Sequence, residues 1–167
     1  MTEPSTHFDR PVRIRFSHCD PAGIVFFPQY LVMTNSLVED WFNEALDIDY
    51  GAMISKRRVG LPIVKLDCTF SKPSQMGDTL MLSLTLERIG ARSVGILIDA
   101  KSHGEVRFLA RQVLVTTSLE SGASIDIPED IRAALTRFNP VALAEVKDEA
   151  KDQVQDESKD QVKETRS

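Results

Sequence analysis

Alternating apolar and polar residues dominate the stretch from Val64 to Thr117 and constrain the fold more than any other feature. Successive side chains of a β-strand point to opposite faces, so strict alternation predicts strands with one buried face. The apolar sets are Val64, Leu66, Cys68 and Phe70; Leu80, Leu82, Leu84 and Leu86; Val94, Ile96, Ile98 and Ala100; and a longer run over 106–117. The breaks between the sets are short enough for hairpins, which predicts four consecutive antiparallel strands.

A fifth strand and a long helix are predicted ahead of this sheet. Apolar residues alternate with two arginines over Pro11–Phe16, which is typical of a half-buried strand. From about Pro28 apolar residues recur at helical spacing, at Met33, Leu37, Val38, Trp41, Phe42, Ala45 and Leu46. Their stripe is wide, so this helix should be buried over much of its circumference. One sheet packed on one apolar helix predicts a two-layer α+β domain.

Asp47–Gly60, between the long helix and the strands, is predicted to be an irregular connection. A last helix is predicted from Pro128, because Glu129 and Asp130 suit the positive end of the helix dipole. Its apolar residues Ile131, Leu135 and Phe138 should be buried, and Asn139–Pro140 should end it.

The chain length predicts one folded domain with extensions. Its 167 residues suffice for a single hydrophobic core. Past Ala144 the composition shifts to Lys, Asp, Glu and Gln, and the segment KDQV occurs twice. Such composition is typical of a disordered tail or a frayed helix. We therefore expect an N-terminal extension over residues 1–10, the domain over 11–140 and a charged tail over 141–167.

The charge and the overall composition argue against several classes of function. The net charge of −5 and a pI near 5.2 disfavour nucleic acid as a partner, because phosphate binding needs a basic face. No apolar run approaches the roughly 20 residues of a membrane span, and the N-terminus lacks a secretory signal. Two cysteines are too few for a disulfide framework. We expect a cytoplasmic protein. An open sheet has exposed edges, which favours at least a dimer.

The segment His18–Tyr30, HCDPAGIVFFPQY, concentrates the candidate chemistry. If the first strand continued through it, His18 and Cys19 would point to opposite faces and could not chelate one metal ion. A cysteine nucleophile needs a base within reach and an electropositive niche, and adjacency to His18 supplies neither. Cys19 and Cys68 are therefore interpreted as small packing residues, and no metal site is expected.

Asp20 allows two interpretations. An aspartate before proline commonly stabilises a turn, and aspartate often caps helices. The apolar run Ile24–Phe27 would instead place the carboxylate at the mouth of a water-poor cleft, toward which a helix beginning near Phe27 directs free N–H groups. Those groups could stabilise an oxyanion while the carboxylate acts as nucleophile or base. The residues alone leave capping and catalysis open.

The stretch Cys19–Tyr30 resembles the active-site motif of the 4-hydroxybenzoyl-CoA thioesterase family, whose members are hot-dog-fold acyl-CoA thioesterases. The similarity spans about Val12–Leu119, and Gly60–Val64 is a second matching patch. The resemblance implies a hot-dog fold, in which an antiparallel sheet of about five strands wraps around a long central helix. It also implies hydrolysis of an acyl-CoA without a cofactor, at active sites shared between two subunits of a dimer or tetramer.

The same resemblance assigns roles to individual residues. Asp20 matches the aspartate that attacks the thioester carbonyl or activates water, and the backbone N–H of Phe27 matches the group that polarises that carbonyl. The residues implied at the substrate are Gly23, Phe26, Pro28, Asn35 and Val64, and those implied at CoA are Arg92 and Ser93. Gly23 is expected to let the backbone approach the ligand closely.

The expected substrate is an aromatic acyl-CoA similar to hydroxybenzoyl-CoA. Near Asn35 the family uses a carboxylate to recognise the ring hydroxyl, whereas an asparagine carries no charge. The aliphatic-acyl branch carries a histidine and a tyrosine around the positions of Phe26–Pro28, and neither is present here. The alternatives are an aliphatic short- or medium-chain acyl-CoA or acyl-carrier-protein thioesterase, and a non-catalytic module that binds acyl-CoA.

Overall fold

A five-stranded antiparallel sheet is the main element of the computed structural model, which describes residues 6–143. The strands in chain order are β1 (His7–Arg13), β2 (Val59–Gly60), β3 (Ile63–Phe70), β4 (Thr79–Ile89), β5 (Ser93–Ser102), β6 (Glu105–Val115) and β7 (Thr117–Ser118). The main sheet has the order β1-β4-β5-β6-β3, and β2 pairs with β7. The expected α+β sheet of five antiparallel strands is confirmed.

Three α-helices accompany the sheet, and the first packs against it. They are α1 (Pro28–Asp40), α2 (Tyr50–Ser55) and α3 (Glu129–Phe138). A π-helical turn at Trp41–Ala45 continues α1, and short 3₁₀ turns lie at Phe16–His18 and Pro140–Leu143. The predicted apolar stripe of α1 and its continuation is buried apart from Ala45, which is only partly buried. The long buried helix is therefore confirmed.

The alternation in β4 and β5 correctly predicted their buried face. All eight apolar residues predicted there, from Leu80 to Ala100, are at most 2% exposed and belong to one hydrophobic core. Burying one such aliphatic side chain stabilises the fold by roughly 1.5–3 kcal/mol. The last helix forms where it was predicted: α3 buries Ile131 and Leu135 and ends before Asn139, although Phe138, also expected to be buried, is only partly buried.

The partner of β3 differs from the prediction. β3 pairs with β6 at the far edge of the sheet, and β1 instead lies beside β4. The connection Ser71–Asp78 therefore crosses the sheet rather than forming a hairpin, which its length permits because an extended chain advances about 3.3 Å per residue. Most of β3 is exposed, including Val64 and Leu66, which the alternation had placed in the core.

The first strand starts earlier than predicted. β1 begins at His7 and ends at Arg13, so it draws residues 7–10 of the expected N-terminal extension into the sheet. Pro11 lies in mid-strand, which an edge strand tolerates because the missing N–H can face outward. Phe16, predicted to be buried, lies in the following 3₁₀ turn and is 83% exposed. Most of the expected charged tail lies outside the described residues.

The connection predicted as irregular over 47–60 contains α2 and β2. Asp49 caps α2, because its Oδ1 accepts a hydrogen bond from the Ala52 N–H at 2.8 Å. Asp49 could have predicted the start of α2 from the sequence, but the two glycines of this segment favoured an irregular connection.

Candidate active site

The motif loop, defined as Cys19–Phe27, folds into a narrow turn between β1 and α1. Cys19 and Val25 face each other as an antiparallel bridge. The Asp20 N–H donates to the Ile24 carbonyl at 3.0 Å, and the Gly23 N–H donates to the Asp20 carbonyl at 2.9 Å. These short-range bonds fix the backbone of Asp20 independently of its carboxylate.

One oxygen of the half-buried Asp20 carboxylate holds the turn and the other is open. Oδ1 accepts from the Ala22 N–H at 2.9 Å, which is an Asx turn. Within residues 6–143, Oδ2 has no hydrogen-bond or ion-pair partner. Asp20 does not cap α1, whose N-cap is Phe27. The turn interpretation is therefore correct, and it leaves one oxygen available for chemistry.

Gly23 is required by its backbone conformation. Its φ of +76° lies in the left-handed region that L side chains rarely adopt. A Cβ built there would meet no atom of the described chain within 4 Å. The expected close approach of a ligand at this glycine stays a prediction, and the open space around it is compatible with one.

The start of α1 presents a free backbone amide. Phe26 donates its N–H to His18, Gln29 donates to Phe26 at 2.8 Å and Tyr30 donates to Phe27 at 3.1 Å. Pro28, at the first helical position, has no N–H. In the described part of the chain the Phe27 N–H has no acceptor. This N–H is therefore a free hydrogen-bond donor at the positive end of the helix dipole.

An apolar cavity of about 290 Å³ lies beside this helix start. It is lined by Ile24, Val25, Phe27, Tyr30, Phe70, Ser71, Lys72 and Pro73. The Phe27 ring meets Phe70 edge to face at 6.1 Å and Phe26 at 5.5 Å. Lys72 is paired with Glu105, and this hydrogen bond lowers the pKa of the Glu105 carboxyl. The walls suit an apolar or aromatic group, and Asp20 is not among them.

The predicted site residues fall into two groups at opposite ends of the sheet. Gly23, Phe26 and Pro28 lie with Asp20 and Phe27 near the start of β4, where the Ile14 N–H bonds Asp78. Val64, Arg92 and Ser93 lie at the other end, where Ser93 pairs with Val115. β4 has 11 residues, so about 35 Å separates the two ends. One copy of the chain does not bring both groups together.

Arg92 and Asn35 are both accessible. The Arg92 Nε donates to Asp126 Oδ1 at 2.8 Å, so its charge is already partly neutralised. Asn35 is exposed on α1, eight residues after Phe27 and therefore about 12 Å further along the helix axis. Their expected contacts with CoA and substrate stay predictions.

His18 and Cys19 are tied to the backbone of Arg15. The Arg15 N–H donates to His18 Nδ1 at 3.1 Å, and the Cys19 Sγ lies 3.6 Å from the Arg15 carbonyl. These contacts stabilise the 3₁₀ turn that leads into the motif loop.

Within residues 6–143 no three His, Cys, Asp or Glu side chains are grouped as metal ligands. None of the helices described is both long and apolar enough to cross a bilayer.

Sequence reasoning missed Tyr30 and Ser74, which lie next to the site. The Tyr30 hydroxyl donates to Ser74 Oγ at 2.8 Å, and both side chains are buried. Tyr30 closes the motif HCDPAGIVFFPQY, which was a usable signal. Ser74 gave none, because it was expected in an exposed hairpin.

The fold and the motif loop together define a class of protein, the hot-dog thioesterases. The structure of the 1,4-dihydroxy-2-naphthoyl-CoA thioesterase Slr0204 from Synechocystis is similar with a TM-score of 0.71 and 22% identity, covering 77% of this chain and 95% of that one. A substituted 4-hydroxybenzoyl-CoA thioesterase complexed with 4-hydroxybenzoyl-CoA is similar with a TM-score of 0.72 and 19% identity, covering 78% and 99%. These likenesses confirm the hot-dog fold.

The family of this chain follows from comparison of its sequence with known families. A family model described as "Thioesterase-like superfamily" matches residues 14–135. A 1,4-dihydroxy-2-naphthoyl-CoA hydrolase from Nostoc punctiforme is 28% identical over 120 residues, which cover 71% of this chain and 79% of that protein. The chain belongs to the thioesterase-like superfamily. The resemblance to the 4-hydroxybenzoyl-CoA thioesterases and the expectation of a thioester hydrolase are confirmed at the level of the family.

Proposed function

We propose that this protein hydrolyses an acyl-CoA thioester to the free acid and CoA. The observation that carries the proposal is the pairing of an open Asp20 oxygen with a free Phe27 N–H in one short loop at a helix start. The relative from Nostoc punctiforme, named for the hydrolysis of a CoA ester, supports the same chemistry.

The two groups suffice for the reaction with water. Asp20 Oδ2 attacks the carbonyl carbon, the C–S bond breaks and CoA leaves as a thiolate. Water then hydrolyses the acyl-aspartate anhydride to the free acid and the Asp20 carboxylate, and a proton released in this step converts the thiolate to the thiol. Alternatively the carboxylate takes a proton from water as the water attacks. In both routes the Phe27 N–H donates to the carbonyl oxygen as negative charge develops there, which in comparable sites contributes about 10²–10³ in rate. Neither route calls on a cofactor.

The proposed acyl group is aromatic. The cavity at Phe27 is walled by Phe70 and Tyr30, and planar rings pack well edge to face on such side chains. The relatives named for 1,4-dihydroxy-2-naphthoyl-CoA and 4-hydroxybenzoyl-CoA support a hydroxylated ring. Asn35 is uncharged, so it would accept or donate one hydrogen bond to a ring hydroxyl without ionising it.

We further propose that two copies complete each site. β3 is an edge strand with apolar side chains exposed on both faces, and Val64 is 61% exposed. Antiparallel pairing of β3 with its copy would bring the Val64 end of one chain to the Phe70 end of the other. Arg92 and Ser93 of one copy would then approach the motif loop of the other and could meet the CoA phosphates.

We propose the cytoplasm as the location, because the chain has only two cysteines.

A thiol-release assay tests the proposed function and its substrate class. The panel comprises benzoyl-, 4-hydroxybenzoyl-, 1,4-dihydroxy-2-naphthoyl-, phenylacetyl- and straight-chain acyl-CoA esters. We expect the hydroxylated aromatic esters to have the highest kcat/KM. Faster turnover of straight-chain esters would move the protein to the aliphatic class, and saturable binding without thiol release would make it a binding module.

Asp20→Asn should lower kcat on the best ester by at least about 10²-fold, because an amide is a poor nucleophile and base. The matched control is Asp9→Asn, the same change at an exposed position of β1. It should leave kcat and KM unchanged. Full activity of Asp20→Asn would show that another group does the chemistry.

A further inference from the structure

Tyr30 and Ser74 form a buried polar contact between α1 and the connection Ser71–Asp78. The Tyr30 hydroxyl donates to Ser74 Oγ at 2.8 Å. Tyr30 is 5% exposed and Ser74 is 0% exposed. Neither hydroxyl has a part in the proposed reaction; Tyr30 lines the cavity at Phe27, and Ser74 directly follows the lining residue Pro73. Their contact therefore calls for another explanation.

Ser74 is also bonded to the motif loop. Its carbonyl accepts from the Val25 N–H at 2.9 Å, and the next residue, Gln75, forms an antiparallel bridge with Ile24. One residue thus contacts the loop that carries Asp20 through its backbone and the first turn of α1 through its side chain. Tyr30 in turn donates its N–H to the carbonyl of Phe27.

The hydroxyl of Tyr30 is not needed to fill the core. The ring is stacked on Phe108, with centroids 5.0 Å apart and planes at 14°, and it lies 5.9 Å from Phe70. A phenylalanine would occupy the same volume and make the same ring contacts. Burying a hydroxyl costs free energy unless it finds a partner. The directional bond to Ser74 is therefore what distinguishes tyrosine from phenylalanine at this position.

The bond joins two parts that could otherwise move separately. Asp20 and the Phe27 N–H lie towards the two ends of a loop that turns at Gly23, and this loop is bonded to the connection Ser71–Asp78 at Val25. Catalysis by two groups depends on their separation to within about 0.5 Å, and small displacements lower the rate steeply. A link from α1 through Ser74 back to Val25 closes a ring that contains Phe27, and the bond from the Asp20 N–H to the Ile24 carbonyl joins Asp20 to the residue next to that ring.

We propose that Tyr30 and Ser74 are positioning residues, which hold the motif loop against α1 so that the Asp20 carboxylate and the Phe27 N–H keep the separation needed for attack on a thioester. This inference rests on the proposed function. The Tyr30 ring is also a wall of the proposed acyl cavity, but the bond between the two hydroxyls touches no reacting atom and acts through the loop alone.

Steady-state kinetics of Tyr30→Phe and Ser74→Ala test the proposal on the best ester of the panel. Each variant should lower kcat about tenfold and leave KM within about twofold, because the geometry of attack changes while the binding surface stays. The double variant should be no slower than the slower single variant, since both remove the same bond. Ser74→Ala keeps the test decisive should Tyr30→Phe fold poorly.

The matched control is Tyr50→Phe, which removes a hydroxyl from a half-buried tyrosine of α2 that packs on Phe42 at 5.5 Å. It should leave kcat and KM unchanged. An unchanged kcat in Tyr30→Phe and Ser74→Ala would overturn the proposal. Equal losses in all three variants would also overturn it, because they would reflect general destabilisation.

Hydrogen exchange separates this inference from the proposed function. The Val25 and Phe26 amides should exchange faster in Tyr30→Phe than in the unsubstituted protein, and Tyr50→Phe should not change them. A protein that released no thiol from any ester would overturn the proposed function. Unchanged exchange of these amides would overturn the positioning role whether or not the protein is active.

Discussion

The backbone of Gly23 shapes the turn that carries Asp20. Its N–H donates to the Asp20 carbonyl, and its left-handed φ turns the chain so that Ile24 can bond back to Asp20. The carboxylate of Asp20 is thereby left with one oxygen on the Ala22 amide and one oxygen open. The Asp20 carboxylate therefore holds the turn with one oxygen and leaves the other for the proposed chemistry.

Gly23→Ala should destabilise the protein and slow it. A non-glycine residue in the left-handed region costs roughly 1–2 kcal/mol, so the free energy of unfolding in urea should fall by about that amount. The distorted turn should also lower kcat more than it raises KM. Gly51→Ala is the control, because Gly51 is helical and has no left-handed φ. Equal losses of stability in the two variants would contradict the conformational argument.

At the scale of residues, the sequence predicted what depends on near neighbours. Asp20 before Pro21 gives a turn by local chemistry, and Pro28 fits the first helical position for a local reason. The bond from Tyr30 to Ser74 joins residues 44 positions apart. No local pattern encodes such a pair, because it exists only once the connection Ser71–Asp78 has crossed the sheet.

At the scale of elements, an ion pair connects α2 with α3. Arg57, two residues after the end of α2, forms two hydrogen bonds of 2.7 and 2.8 Å with the Asp130 carboxylate in the first turn of α3. The hydrogen bond from Arg57 holds the pKa of the Asp130 carboxyl below its ordinary value. Both side chains are more than a third exposed, so solvent screens the pair and its contribution is at most about 1 kcal/mol.

The stability difference between the protein and Asp130→Asn should depend on pH. A carboxyl with a lowered folded pKa stabilises the fold above its unfolded pKa, and this contribution is lost as pH falls through the folded pKa. Asp130→Asn should therefore cost about 0.2–1 kcal/mol at pH 7 and nothing at strongly acidic pH. Urea unfolding across that range measures it.

Glu129→Gln is the control for Asp130→Asn. Glu129 also lies in the first turn of α3, so its substitution changes the interaction with the helix dipole without breaking the ion pair. A loss of equal size in Glu129→Gln would assign the effect to the dipole instead of to Arg57.

Elements with a strong local pattern were predicted well, and their pairing was not. The alternation of four leucines placed β4 in the core, and the charge pattern after Pro128 placed α3. The place of β3 beside β6 could not be predicted from the short break after it, because strand pairing is decided by long-range burial of the whole sheet. Its exposed apolar residues are better explained by the proposed partner than by a core.

At the scale of the whole molecule, the proposed site needs two groups of residues that one chain keeps apart. The motif loop and Arg92 lie at opposite ends of β4. Only a second copy, paired through β3, would place both groups on one substrate. Activity and assembly should therefore be lost together.

Light scattering after size exclusion should give a mass of at least twice 18.7 kDa. Leu66→Glu should shift the mass toward one chain and lower kcat/KM, because the new charge lies near the middle of β3, where it would face its own copy. Val141→Glu, at an exposed position outside the sheet, is the control and should keep both properties. A single-chain mass for the unsubstituted protein would disprove the shared site.

Pro11 would limit the proposed assembly through the sheet. The sheet has two edges, and the β1 edge carries a proline that cannot donate a hydrogen bond, whereas β3 keeps its full set of donors. Chains that join through β3 would leave only two β1 edges facing outward. A third chain would find no complete ladder there, so growth would end with a closed pair and not with a fibre.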